Sequence, residues 1–216
     1  MKHSKYLLFF AIFFAGCNSN TNETQPEIET EIKKERSVEF KKIDPKEIPG
    51  NAIEMIADEW MLITAGNKES YNTMTASWGG LGCLWWKPVS TCYIRPDRYT
   101  FGFMEKGNYY TLCFFDNEYR NILRTCGSIS GRDFKDKNKA EEAGLTPAYT
   151  ENGAIYFKEA YLVFECKKLY SDQFEKEGFA TEIFVEDDLS GDKFIYNEIP
   201  EYHKLYIGEI INCWMR

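Results

Sequence analysis

Residues 72–100, NTMTASWGGLGCLWWKPVSTCYIRPDRYT, bring together three kinds of side chain that suit the binding of one small molecule. Small and hydroxyl-bearing residues at 73–77 would let a ligand approach the backbone closely. Glycines and tryptophans follow at 78–86, and a β-prone run then ends in two arginines, Arg95 and Arg98. Because arginine can donate two parallel hydrogen bonds to phosphate oxygens, the stretch indicates a site for a flat ligand that carries a phosphate.

The segments around this stretch predict a mainly β domain with added helices. Apolar spacing predicts a short helix at 53–60 and another at 117–126, with one helical turn near Ala140. The glycine-rich residues 79–88 are expected to form a loop between two strands. Many strands at short spacing with two or three helices favour an antiparallel β-barrel, an α+β fold. The strand-like runs are residues 60–65, 73–78, 89–94, 109–115, 154–174, 181–185 and 204–214.

The N-terminus has the features of an export signal. Residues 1–16 combine a basic start with an apolar run, and this pattern is typical of a cleaved secretory signal. The run is too short for the roughly 20 apolar residues of a membrane-spanning helix. The tetrapeptide FAGC, which ends at Cys17, resembles a bacterial lipobox, although Phe14 replaces the usual aliphatic residue. Cys17 is therefore expected to be lipidated; an ordinary signal with an incidental cysteine is the alternative.

The following segment, residues 17–47, is expected to be the lipidated cysteine and a flexible tether. It is polar and charged, so it cannot bury enough apolar surface to offset its ordering entropy. The folded domain is expected to comprise residues 48–216. Together these features predict an exported lipoprotein that is anchored to a bacterial membrane on its extracytoplasmic side.

The charge of the chain limits its partners. The formal net charge is −8, and removal of residues 1–16 takes it to −10 because Lys2 and Lys5 are lost. An acidic chain without a basic run is a poor partner for nucleic acid, which needs clustered lysine and arginine. An anionic ligand would have to be held by a local positive pocket, since the field of the whole molecule repels it.

The sequence lacks the residues that several enzyme classes require. After export His203 is the one histidine left, which excludes a metal site built from several histidines. The chain has no GxSxG nucleophile elbow, no GxxxxGK[ST] phosphate loop and no complete GxGxxG dinucleotide motif. It also lacks a CxxC pair, so its cysteines indicate neither a zinc ribbon nor a thioredoxin-like redox site. The cysteines in apolar strands are expected to be buried free thiols.

Several motifs, in matching order from residue 48 to the C-terminus, resemble those of the flavin reductase-like family. They are WMLITAG (60–66), NTMTASWGG (72–80), YIRPDRYT (93–100), GSISGRD (127–133), GLTP (144–147) and HKLYIGEI (203–210). The flavoredoxin-type members of that family are FMN-binding split barrels. The resemblance implies the same fold, FMN as cofactor, and a homodimer with FMN near the subunit interface.

The same resemblance implies roles for individual residues. His203 would face the substrate side of the flavin as a proton donor or nicotinamide contact, or it could simply cap a barrel strand. The isoalloxazine ring would contact Thr73, Met74, Thr75, Ala76, Ser77 and Trp78. The ribityl phosphate would meet Arg95, Arg98, Tyr99 and Thr100, and the cofactor would be lined from another side by Ser128, Ser130, Gly131, Arg132 and Lys137.

Three functions remain open at this point. The first is an FMN-dependent oxidoreductase of the flavin reductase or flavoredoxin type. The second is a non-enzymatic FMN-binding or electron-carrier lipoprotein that uses the same cleft. The third is a lipid-anchored β-barrel for a different ligand, in which Arg95 and Arg98 are surface charges that pair with Asp97 and its neighbours. An exported domain would not normally meet NAD(P)H, so a membrane or extracytoplasmic electron partner is expected.

Overall fold

The computed structural model describes residues 39–134, 138–186, 193–199 and 201–216. Within them all strand pairing is antiparallel. The strands are β1 (Lys41–Lys42), β2 (Met61–Gly66), β3 (Tyr71–Ala76), β4 (Gly79–Leu84), β5 (Lys87–Ile94), β6 (Tyr109–Phe114), β7 (Pro147–Tyr149), β8 (Ile155–Phe157), β9 (Leu162–Gln173), β10 (Phe184–Glu186), β11 (Lys193–Ile195) and β12 (Lys204–Met215).

The main sheet has the order β3-β2-β6-β9-β12-β5-β4 and closes into a split barrel. Its two end strands follow one another in the chain, because β3 ends at Ala76 and β4 begins at Gly79. Three residues span at most about 11 Å, whereas the outer strands of a flat seven-stranded sheet lie roughly 29 Å apart. The sheet must therefore curl until its ends meet, and the predicted mainly β barrel with added helices is confirmed.

The barrel wall is apolar on both faces. In β2 the side chains of Met61, Ile63 and Ala65 belong to the core inside the barrel. Leu62, between them, packs with Val163 of β9 in a second apolar cluster. Alternate residues of a strand face opposite sides of the sheet, so a continuous apolar run predicts a wall that is covered on both sides.

The described part of the chain has four α-helices beside the barrel: α1 (Ala52–Glu54), α2 (Tyr99–Lys106), α3 (Arg120–Ser128) and α4 (Lys139–Glu142). α1 continues into a π-helical turn, Met55–Glu59, where the sequence predicts the first helix. α3 and α4 lie where a helix and a helical turn are expected. α2 is not predicted by the sequence. α3 passes through Gly127 rather than stopping there, because Gly127 packs against Thr75, whose Cβ would lie 3.3 Å from an added methyl group.

The glycine-rich segment predicted as a loop is instead a hairpin of β4 and β5. A Cβ on Gly79 would lie 2.7 Å from the carbonyl oxygen of Thr91, so glycine permits this strand pairing. The hairpin turns at Trp85 and Trp86, which have positive φ angles of 51° and 60°. Both φ values fit a type I′ turn, for which Asn-Gly is the favoured sequence. A left-handed conformation costs a residue with a side chain roughly 1–2 kcal/mol.

Two further boundaries differ from the sequence prediction. The single strand expected at 154–174 is divided into β8 and β9. The fold also begins before residue 48, because β1 pairs with the end of β12 and the N–H of Ile43 donates to Cys213 O at 3.0 Å. The compact unit comprises residues 39–216. The signal and most of the tether lie outside the described residues, among which no helix is long and apolar enough to cross a membrane.

Candidate functional site

A cavity of about 450 Å³ opens where β3 ends, and we call it the large cleft. Backbone and small side chains after Met74 form one wall, and α3 forms another. Aromatic rings and three arginines complete it. Its lining comprises Ala57, Asp58, Trp60, Met74, Thr75, Ala76, Ser77, Trp78, Tyr93, Arg95, Arg98, Leu123, Arg124, Gly127, Ser128, Glu186, Phe194, Tyr196, Ile199 and His203.

A second cavity of about 160 Å³, the small pocket, adjoins the large cleft. The two cavities share four lining residues, Met74, Arg98, Gly127 and Ser128, so Arg98 stands between them. The rest of the small pocket is lined by Asn72, Asp97, Tyr99, Thr100, Cys126, Ile129, Ser130, Gly131, Arg132 and Lys139.

The small pocket is positively charged, although the chain as a whole is acidic. Three cations line it: Arg98, Arg132 and Lys139. Asp97 is the one acidic residue in its described lining, and its carboxylate accepts two hydrogen bonds from the guanidinium of Arg95, at 3.1 and 2.5 Å. Arg132 donates to the backbone oxygen of Asp97 at 3.1 Å, and its guanidinium carbon lies 5.0 Å from the ring centre of Tyr99. The pocket is therefore suited to an anion.

Lys139 is the cation that sequence reasoning missed. Its side chain is buried, with 3% of the residue exposed, and its ammonium donates to Cys126 O and to Ile129 O, the latter at 2.8 Å. These carbonyls belong to the C-terminal end of α3, where a positive charge is favourable. Burial lowers the pKa of Lys139, and Arg98 lowers it further. An ammonium has three donors, and these two carbonyls accept two hydrogen bonds from it.

The first turn of α2 adds backbone donors to the small pocket. Tyr99 and Thr100 begin the helix, and the first N–H groups of a helix have no intrahelical acceptor. The buried amide of Asn72 donates to the Thr100 hydroxyl at 2.7 Å and so holds the start of α2 against β3. Gly131 closes this corner, because a Cβ there would lie 2.0 Å from the Asn72 side-chain oxygen.

His203 stands in the large cleft between two aromatic rings. Its ring centre lies 5.1 Å from that of Trp78 and 5.5 Å from that of Tyr196. Burial, with the nearby charges of Arg95 and Arg98, lowers the pKa of His203 to about 4, so its ring is neutral at pH 7.

The hydroxyl of Tyr196 makes two contacts with His203. It accepts a hydrogen bond from the backbone N–H of His203 at 3.0 Å and also contacts the Nδ1 atom of the ring. Burial raises the pKa of Tyr196, so its phenol is neutral at pH 7, and the donor in the contact with Nδ1 is either the phenol O–H or the ring N–H.

Most of the residues that the sequence singles out come together here. Six line only the large cleft: Thr75, Ala76, Ser77, Trp78, Arg95 and His203. Three line both cavities: Met74, Arg98 and Ser128. Five line only the small pocket: Tyr99, Thr100, Ser130, Gly131 and Arg132. Lys137 and Cys17 lie outside the described residues.

Three residues differ in detail from their expected positions. Thr73 lines neither cavity, because its side chain is fully buried and its hydroxyl accepts a hydrogen bond from Thr64 at 2.9 Å. The Thr75 hydroxyl donates to the backbone oxygen of Leu123 and thereby ties β3 to α3. Arg95 and Arg98 are placed differently, since Arg95 lines only the large cleft and is bonded to Asp97, whereas Arg98 lines both cavities.

Sequence reasoning also missed the residues that support or extend the site. Asn72 was inside the quoted stretch, but nothing in its composition marked it as buried. Tyr196 and Phe194 come from the segment before β12, whereas Trp60 directly precedes β2 and Tyr93 lies in β5. A signal existed only for Tyr196, which precedes His203 by seven residues in an aromatic segment.

Comparison with protein families gives one match, to the flavin reductase like domain, over residues 54–216. The chain belongs to this family. No curated protein matches it in sequence. Among the described residues, no group of three or more histidine, cysteine, aspartate or glutamate side chains could hold a metal ion.

Solved structures share the fold of this flavin reductase-like domain at low sequence identity. Flavoredoxin from Methanosarcina acetivorans is 18% identical, with a TM-score of 0.54 over 73% of this chain and 68% of its own. An FMN-binding protein from Thermus thermophilus is 17% identical, with a TM-score of 0.54 over 81% and 80%. Flavoredoxin of Desulfovibrio vulgaris is 22% identical, with a TM-score of 0.53 over 73% and 69%. These likenesses establish the split-barrel fold.

Proposed function

We propose that this chain binds FMN and is an oxidoreductase of the flavin reductase or flavoredoxin type, passing electrons through the bound flavin. The observation that carries the proposal is the junction of the two cavities at Arg98. A large cleft with aromatic walls opens directly into a small pocket that holds three cations. A ligand that fills both must be flat at one end and anionic at the other.

The residues present fit FMN. The small pocket offers the guanidinium groups of Arg98 and Arg132, the ammonium of Lys139 and the first N–H groups of α2 to a phosphate. The volume of the large cleft lies within the range of small-molecule sites. The solved neighbours include proteins described as flavoredoxins and as an FMN-binding protein, which supports the same ligand.

In this arrangement the protein binds, orients and shields the cofactor. FMN, when bound, supplies a group that accepts and gives up electrons. The backbone of residues 75–77 offers N–H and C=O groups to the heteroatom edge of the ring, and the small side chains there permit close approach. Trp78 adds a flat apolar wall beside His203. Arg98 spans the junction, so it positions the ligand at both ends of the site.

His203 acts as a neutral hydrogen-bonding group in this proposal. Its pKa of about 4 means that at pH 7 it does not carry the extra proton of an imidazolium ion. The Nε2 atom would orient a substrate or the flavin edge, while Tyr196 holds the opposite nitrogen. This role differs from direct proton delivery, which the sequence left open.

We also propose an exported homodimer. The lipobox-like sequence that ends at Cys17 supports lipidation and a location on the extracytoplasmic side of a bacterial membrane. Family resemblance supports the dimer, with FMN near the subunit interface. The electron partner would then be a membrane-bound or extracytoplasmic molecule.

The test is the visible absorption spectrum of the purified full chain, as isolated and after addition of FMN. A flavin spectrum that stays with the protein through gel filtration and bleaches with dithionite is the expected result. A colourless protein that retains no added FMN would overturn the proposal. Turnover with NADH, with NADPH or with a reduced membrane quinone as donor then separates an enzyme from a passive electron carrier.

A further inference from the structure

The tip of the β4–β5 hairpin carries two exposed tryptophans that the proposed FMN site does not use. Trp85 is 63% exposed and Trp86 is 96% exposed. Tryptophan is a costly residue at both positions of this turn, because both backbones are left-handed. Neither side chain lines the large cleft or the small pocket. A feature that weakens the hairpin and adds nothing to the core requires another explanation.

The strand register places this tip at the end of the barrel where the tether joins the domain. β9 pairs with one edge of β12 along its whole length, so β5 and β1 must share the other edge. Val89 of β5 lies opposite Glu209, and Lys42 of β1 lies opposite Trp214. Because β5 is antiparallel to β12, its first residues, and the tip before them, point along β12 towards β1.

The tether limits how far this end can move from an anchor. Glu39 follows Cys17 by 22 residues, and a chain of this length can reach at most about 79 Å. An acylated Cys17 would therefore keep the tip close to a bilayer at an effective concentration near the millimolar range. At such a concentration even a weak surface contact is populated.

The chemistry of the tip matches a bilayer surface. Tryptophan is enriched at the boundary between lipid headgroups and acyl chains, where its ring is apolar and its N–H is polar. Lys41 and Lys42, both exposed, lie on the same side as the tip. Firm membrane attachment takes more than one weak signal.

We propose that Trp85 and Trp86 insert into the headgroup region of the membrane that holds Cys17 and thereby orient the domain on the bilayer. This inference rests on the proposed lipid anchor and not on FMN binding. The occupant of the tip is the lipid surface; a second copy of the chain is the competing occupant that the test must distinguish.

The test uses the full chain, purified from bacterial membranes and reconstituted into phosphatidylcholine vesicles with or without brominated acyl chains, which quench nearby tryptophan. The key variant is Trp85→Asn combined with Trp86→Gly. It installs the favoured type I′ turn, so it should keep or raise the melting temperature while it removes both indoles. The matched control is Tyr170→Ser, which removes a 48% exposed aromatic ring from β9.

Brominated lipid should quench the wild-type chain and the Tyr170→Ser control by the share of emission that two of the five tryptophans contribute. Brominated lipid should quench little of the remaining tryptophan emission of the double variant. This variant should bind FMN as the wild type does. Equal quenching of wild type and double variant would overturn the proposal. A second result would also overturn it: the wild type is a dimer in detergent with its tryptophans shielded from acrylamide, and the double variant is a monomer. The tip would then bind a second copy of the chain and not the lipid surface.

Mass spectrometry of the N-terminal peptide tests the anchor separately. Acyl chains on Cys17 are expected. If Cys17 carries none, the anchor is wrong, and the tip is tested by adding brominated vesicles to the soluble chain. The visible spectrum reports on FMN in every sample, so a failure of the cofactor proposal is seen independently.

Discussion

The small pocket and the large cleft meet at Arg98 but are built on different principles. The small pocket combines two exposed cations, Arg98 and Arg132, with buried groups held by hydrogen bonds, such as Asn72 on Thr100 and Lys139 on the end of α3. The large cleft is open and aromatic, and its one titratable imidazole is neutral at pH 7. The difference suggests a division of labour, in which the small pocket determines where an anion binds and the large cleft determines what the bound ring can do.

The largest expected effect comes from removing the residue that the two cavities share. Arg98→Ala should raise the FMN dissociation constant by about 100-fold, because charge-assisted hydrogen bonds contribute roughly 1.5–3 kcal/mol each. Arg95→Ala is the matched variant. Arg95 is bonded to Asp97 and lines only the large cleft, so we expect less than about a fivefold change. Fluorescence titration with FMN measures both, and equal losses would contradict the division between the cavities.

The second effect concerns the buried lysine of the small pocket. Lys139→Met should raise the FMN dissociation constant by about tenfold and lower the free energy of unfolding by about 2 kcal/mol, since it leaves the carbonyls of Cys126 and Ile129 without their donor. Urea unfolding and FMN titration give the two numbers. Lys137→Met, at the position suggested by resemblance, is the control and should change both less. If Lys137→Met weakens FMN binding more than Lys139→Met does, Lys137 and not Lys139 binds the phosphate.

The large cleft should respond to pH through His203. Its folded pKa of about 4 lies below the ordinary 6.5, so above pH 6.5 the ring is neutral in both states and has no effect. As pH falls from 6.5 to 4, the unfolded chain takes up a proton that the folded chain refuses, and stability is lost. Below pH 4 both states bind the proton and the loss ends. Unfolding between pH 7 and 4.5 should therefore show a shallower decline in His203→Gln than in the wild type.

Identical pH slopes in the two proteins would mean that His203 is not buried as described. Carboxylates also titrate in this range, but they are present in both proteins, so their contributions to the pH slope cancel in the comparison. The small pocket has no histidine in its described lining, so this test reports on the large cleft.

The smallest effect on the ligand is expected just outside the two cavities. Thr73→Val removes the hydroxyl that accepts from Thr64 on the outer face of the barrel wall, so the free energy of unfolding should fall by about 1 kcal/mol. The FMN dissociation constant should stay the same, although Thr73 belongs to the motif by which the family is recognised. A clear loss of FMN affinity in a well-folded variant would show that β3 contacts the ligand over a longer stretch.

The strands of the barrel were predictable because their apolar runs are long and rich in β-formers. β4 was not predictable, because glycine is rare in strands. Glycine suits β4 only because the carbonyl oxygen of Thr91 on the neighbouring strand comes so close to Gly79 that a side chain would not fit. α2 was missed for a similar reason. Its sequence, YTFGFMEK, contains glycine and several aromatic residues, and its start is held by Asn72 from a distant strand.

The site was predictable as a region but not as an arrangement. Spacing alone could not separate Arg95 from Arg98, because the difference is made by the side chain of Asp97. Lys139 lies in a polar segment, where a lysine is normally solvated, and only the packing of α4 on α3 buries it. Burial of polar groups is a tertiary property that local sequence does not encode.

The most direct test of the central claim compares FMN with riboflavin, which has the same ring system but no phosphate. If the small pocket holds the phosphate, the wild-type chain should bind FMN at least about 100-fold more tightly than riboflavin. Arg98→Ala should weaken FMN far more than riboflavin and so bring the two affinities together. Equal affinities of the wild-type chain for the two flavins would contradict the account, since the cationic pocket would then have no part in binding.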